Sequence, residues 1–215
     1  MNEHVFSRWR VKLKISGSLV YVSHLDVLSA WERTLRRARL PMRFSSGFNP
    51  HMLISFGPAH AVGMQEDALY CDLDFSHQPP DNWPDLCNAV APSGLQVLEA
   101  REIATDLQSL MSAINLVTYE LDFTNDNFAI EKFLARESYV IERISPKKKK
   151  TVDLRPNVLE VRKIEEQKIA LTVRLGNKIS PKAGEIARAI APQNTLKSLR
   201  RTGLFIENEQ GRQLP

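Results

Sequence analysis

The sequence predicts an α+β fold: antiparallel sheets with helices on one face, built twice along the chain. Three observations predict it. Residues 8–15 alternate apolar and basic side chains with a period of two, the pattern of a half-buried strand. From Ser23 to about Arg39 the apolar residues recur at steps of three and four, the period of a helix. Residues 8–102 read as strand, helix, strand, strand, helix, strand, and the remainder repeats that plan without obvious identity. This is the ferredoxin-like (split βαβ) order, so two such halves are expected, residues 1–107 and 108–215.

In the first strand Trp9, Val11, Leu13 and Ile15 take one face, and Arg8, Arg10, Lys12 and Lys14 the other. The second set is expected to form an outward row of cations facing solvent or an anion. Gly17 ends the strand. Ser23 is suited to cap a helix, with Asp26 three residues on as the acidic member of a capping box. Leu25, Leu28, Trp31, Leu35 and Ala38 are the expected buried stripe, and Arg33, Arg36 and Arg37 fall together on the opposite side. Pro41 stops the helix. Ser45–His51 is a loop, because Gly47, Asn49 and Pro50 punctuate it and Pro50 biases Asn49 away from helix.

Met52–Phe56 reads as the next strand, closed by Gly57-Pro58. Ala68–Phe75 is another, with Asp72 and Asp74 alternating against Leu73 and Phe75. After the rigid Pro79-Pro80, a short helix is expected over Asn82–Ala91, then a Pro92-Ser93-Gly94 turn into the strand Leu95–Glu99. In the second half, Leu116–Phe123 is a strand and Asn125 or Asp126 caps a helix carrying Phe128, Phe133 and Leu134. Tyr139-Val140-Ile141 is the next strand, with the run Lys147–Lys150 at a turn beyond it. Residues 152–156, 158–164 and 169–175 are extended, Pro181 opens a helix through Ile190, and 196–206 is a final strand. The tail 207–215 is expected to fray.

No apolar run approaches the roughly 18 residues that span a bilayer, and the first residues lack a secretory signal, so no membrane partner is expected. Cys71 and Cys87 stand far apart without a CxxC pattern. That argues against a disulfide framework or a thiolate metal site and fits a reducing cytoplasm. The net charge of +4 is modest, so placement of charge matters more than its total. Basic residues concentrate in the first strand, the first helix and the lysine run, which points to a polyanionic partner, most simply RNA.

Tyr21-Val22-Ser23-His24-Leu25-Asp26, Glu32–Ala38, Leu40-Pro41, Ser45–His51, Ile54-Ser55-Phe56 and Asp153-Leu154-Arg155-Pro156 together resemble a bacterial family, the radical SAM-linked domain of unknown function DUF2344. The resemblance covers most of the chain and is most specific in its first third. It implies an accessory protein encoded beside, or fused to, a radical SAM enzyme; it supplies no reaction. Met52 departs from the family, where proline is common, and His60 occupies a position expected to be apolar. A radical SAM enzyme holds its cluster with three clustered cysteines, and this chain has two isolated ones. Another polypeptide would therefore hold the cluster, and no cofactor is expected on this chain.

Three chemistries compete for the remaining polar residues. Nucleic-acid binding would use Arg33, Arg36, Arg37, Arg10, Lys12, Lys148 and Arg155 on phosphates, with Phe48 stacking and Asn49 donating hydrogen bonds. The same cations also read as solvated faces. A hydrolase or nuclease would use His51 and His24 directly, with or without a metal held by His24, Asp26 and His51. Asp26 and His24 equally serve the helix start. The third alternative is a pure protein–protein adaptor. The leading expectation is an RNA-binding accessory of a radical SAM enzyme, in RNA modification or processing.

Overall fold

The computed structural model describes residues 6–145, 148–176 and 180–215. It is a mixed α+β protein that divides into two compact units, the first ending at Ile114 and the second spanning Asn115–Leu214.

The first unit contains β1 (Ser7–Ile15), a 3-10 turn (Gly17–Tyr21), α1 (His24–Arg37), β2 (Ile54–Phe56), β3 (Met64–Phe75), α2 (Trp83–Val90), β4 (Leu95–Ile103) and a single turn, α3 (Leu110–Ala113). β1 lies between β4 and β3, and β2 pairs with the other side of β3, all antiparallel. The spatial order is β4-β1-β3-β2. One face of this sheet supplies Val11, Leu13, Ile15, Leu69, Cys71, Leu73 and Phe75 to a core completed by Val27, Trp31 and Leu35 of α1 and Trp83 and Cys87 of α2. Trp83 stands edge-on to Trp9 and Phe75, with ring centres 5.7 and 5.5 Å away. Such pairs add to the burial of large rings.

Two expectations for this unit need correction. The buried face of α1 is Val27, Ala30, Trp31, Thr34 and Leu35, and Leu25 is 71% exposed. On a helical wheel Leu25 stands about 120° from Trp31, outside a stripe centred on that indole. Thr34 joins the buried face because its hydroxyl donates to the Ala30 carbonyl at 2.9 Å. The second correction concerns the row of outward cations on β1. Arg8 faces Asp74 and Arg10 faces Asp72 across the β1–β3 ladder, and Lys12 faces Glu99 across the β1–β4 ladder. All three are ion pairs, at 2.6, 2.7 and 2.8 Å. Cross-strand neighbours of opposite charge neutralise one another before any ligand arrives. The hydrogen bond to Asp74 raises the Arg8 guanidinium above its ordinary value, although burial opposes it.

The second unit contains β5 (Leu116–Phe123), α4 (Ile130–Leu134), β6 (Val140–Ser145), β7 (Lys148–Asp153), a 3-10 turn (Arg155–Asn157), β8 (Val158–Glu165), β9 (Lys168–Arg174), α5 (Ala183–Ile190), β10 (Leu196–Asn208) and β11 (Gly211–Gln213). Its sheet runs β10-β5-β9-β8 with antiparallel neighbours. β6 and β7 form a separate ribbon, so the strand expected at 139–141 lies outside the main sheet. The ribbon is tied down by Arg143, which makes two 2.6 Å bonds to the Glu185 carboxylate on α5. Lys149 and Lys150 stand within β7 rather than at a turn, while Lys147 and the Lys148 side chain lie outside the described residues. The tail does not simply fray: β11 pairs with residues 206–208 of β10.

Candidate nucleic-acid interface

The geometry begins at the two ends of α1. At its start the expected capping box is present: the Asp26 N–H donates to Ser23 Oγ (3.2 Å), and the Asp26 carboxylate accepts from the Ser23 N–H and hydroxyl (3.3 and 2.7 Å). At its far end the Leu40 N–H donates to the Leu35 carbonyl (3.3 Å) and the Ala38 N–H to Thr34 (2.9 Å). Between them Arg39 takes φ +54°, the left-handed position of a Schellman closure that glycine usually fills. An arginine stands there instead, with its side chain exposed.

The chain returns from this closure as an irregular two-stranded arm. Met42 bridges Phe75, Phe44 bridges Met52, and the Leu53 N–H donates to the Arg43 carbonyl at 2.9 Å. The tip is clamped at its base. The Ser45 N–H donates to the His51 carbonyl (2.9 Å), and the His51 N–H donates to Ser45 Oγ (3.1 Å), which also lies 2.9 Å from His51 Nδ1. Gly47 turns the tip with φ +132°, a conformation that a side chain would strain. Phe48 projects from it fully exposed.

Helix end and arm meet through Arg36, whose guanidinium carbon lies 5.7 Å from the centre of the Phe44 ring. Arg43 covers the Phe6 ring at 4.3 Å and lies 4.0 Å from Asp74, a carboxylate already gripped by Arg8. Arg33, Arg36 and Arg37 are exposed and make no ion pair among the described residues. The structure thus leaves Arg33, Arg36 and Arg37 exposed on the helix that leads into the arm carrying Phe48 and Asn49, with Arg36 touching the arm at Phe44. It adds Arg39 and Arg43, which the sequence reading missed by treating the helix stop as the end of the basic surface. The cations also suit the negative end of the α1 dipole, so their placement is favourable before any ligand binds.

Other expected site residues lie elsewhere. His24 is roughly 20 Å from the arginine end of α1, at 1.5 Å per residue. Its ring is edge-on to Phe56, and its Nδ1 accepts the His60 N–H at 3.3 Å. Asp26 is engaged by the cap, and His51 by Ser45. The three therefore do not converge, and among the described residues no three His, Cys, Asp or Glu side chains are arranged to hold a metal. Arg10 and Lys12 are neutralised by Asp72 and Glu99. Arg155 closes carbonyls rather than reaching outward: its guanidinium donates to Val158 at 2.8 Å and to Leu134 at 3.2 and 3.3 Å. His60, expected at an apolar position, is buried with Nδ1 4.0 Å from the Glu66 carboxylate. No local pattern in the sequence announces that pairing.

Residues 8–183 match the model of a family described as uncharacterized protein conserved in bacteria (DUF2344). The chain belongs to DUF2344. Comparison with curated proteins found no match. The DUF2344 match takes in α1, the arm, its tip and all five arginines, and it ends at the first residue of α5. No helix among the described residues is long and apolar enough to cross a membrane.

Proposed function

We propose that this DUF2344 chain binds RNA through the arginine-bearing end of its first unit, as an accessory to a radical SAM enzyme in RNA modification or processing. The observation that carries the reading is the exposure of five arginines, Arg33, Arg36, Arg37, Arg39 and Arg43, along the later part of α1 and the start of the arm whose clamped tip presents Phe48 to solvent. Guanidinium groups suit phosphate oxygens because their planar donors pair with them in a fork. The radical SAM association rests on the family resemblance, and the two isolated cysteines of this sequence mean that the partner would hold the cluster. Two free, buried thiols and the lack of a long apolar helix among the described residues support a cytoplasmic setting. We also read both units as ferredoxin-like, a reading supported by the shared order in which their first strand is flanked by their fourth and third.

The test is RNA affinity measured against salt for the protein and for the Arg33→Ala, Arg36→Ala, Arg37→Ala triple variant. Each lost phosphate contact should flatten the log–log slope by about 0.7. An unchanged slope in a folded variant would remove this surface from RNA binding. Co-purification with a radical SAM protein, with or without RNA, separates the accessory reading from pure protein adaptation.

A further inference from the structure

Resting on the RNA reading above, we propose that this site takes an unpaired stretch of RNA and reads it by base stacking on Phe48, with duplex excluded from that contact. A base inside a duplex offers no free face, whereas an unpaired base stacks on any exposed aromatic ring.

The tip is built to hold such a ring out. Phe48 is completely exposed, although burying a phenylalanine side chain is normally favourable. It is kept in that position by a closed loop rather than a floppy one. The Ser45–His51 bonds fasten the base, Gly47 supplies a backbone angle few residues tolerate, and Pro50 fixes the descending side. Preorganisation of this kind lowers the ordering cost when a ligand arrives.

The surroundings match a flexible backbone passing the ring. Phe44, on the same arm, is half-exposed and already carries the Arg36 guanidinium, so that side offers a second flat surface. Arg39 is a cation at a backbone position better suited to glycine, and its side chain, like those of Arg33, Arg36 and Arg37, is exposed. Exposed cations on the helix that leads into the arm suit the phosphates of a strand whose unpaired base stacks on the ring.

The experiment compares a labelled 12-nucleotide single-stranded RNA with the same strand in a blunt duplex, by fluorescence anisotropy at one salt concentration. The single strand should bind about tenfold tighter or better. Phe48→Ala should weaken single-strand binding by about tenfold and leave duplex binding unchanged. Phe48→Trp should keep the affinity and show indole quenching on adding the single strand. Equal or tighter duplex binding, or a Phe48→Ala protein that binds the single strand as before, overturns the stacking proposal and leaves the RNA reading standing. Absence of binding to either RNA overturns the RNA reading itself.

Discussion

Arg10 and Asp72 face each other across the β1–β3 ladder as a buried bidentate pair, with Nε–Oδ1 at 2.7 Å and Nη2–Oδ2 at 2.8 Å. Removing one partner leaves the other charge buried and unmatched. Asp72→Ala should therefore cost about 3–5 kcal/mol, read as a lower urea midpoint. Replacing both, as in Arg10→Met with Asp72→Leu, should recover most of that loss. If Asp72→Ala alone is nearly neutral, the pair does not hold the sheet as described.

Arg39 gives a prediction of opposite sign. Its left-handed conformation, φ +54°, costs less for glycine than for arginine. Arg39→Gly should stabilise the protein by about 0.5–1 kcal/mol in urea unfolding, and on the RNA reading it should also weaken RNA binding. A loss of stability would show that the arginine side chain supports the helix end.

Acidification should loosen the β6–β7 ribbon. Burial pushes the Glu185 carboxyl up, but the Arg143 guanidinium and the Lys182 N–H outweigh it, and the net shift is downward. Burial is likewise outweighed at Asp153 by the Ser138 hydroxyl and the Tyr139 and Arg155 N–H groups. A carboxyl held below its unfolded value contributes stability above that value, and the contribution disappears as pH falls through the folded value. Unfolding free energy should therefore decline below about pH 4.5, and Glu185→Gln should flatten that decline. An identical slope in the variant would mean that Glu185 is not a source of the acid sensitivity.

Both thiols should be inert in the folded protein. Burial raises the Cys71 thiol, and it pushes Cys87 up to about 12. Nucleophilic attack requires the thiolate. Iodoacetamide should therefore label neither cysteine at neutral pH until denaturant is added, as mass spectrometry would show. Rapid labelling of Cys87 alone would indicate that α2 opens locally.

The periodic elements were legible because burial imposes their period: β1, α1, β3, β5 and α5 stand close to where the apolar spacing places them. The Ser23–Asp26 cap was legible because its bonds are local. Partners set by strand register were harder to see. Asp72 and Asp74 alternate just as Arg8 and Arg10 do, yet a cross-strand match becomes visible only when the two rows are laid antiparallel. Of the candidate site, Arg33, Arg36, Arg37, Phe48 and Asn49 were named from the sequence. Arg39 and Arg43 were missed because their placement depends on how the chain leaves α1. His24 and His51 read together from the sequence, yet each is engaged by its own neighbours, His24 by the His60 N–H and His51 by Ser45.

The connection from α1 to β2 and the connection from α4 to β8 hold the same place in their respective strand orders, and each grows a two-stranded projection. In both cases the strand that follows pairs with a single neighbour in its own unit, so extra residues there displace no other ladder. The roots of both inserts are fixed, because Met42 and Met52 of one and Val152 of the other are buried, so the length or chemistry of an insert is free to change only beyond those residues. An exchange of the two inserts would then have to be confined to the residues beyond those buried roots.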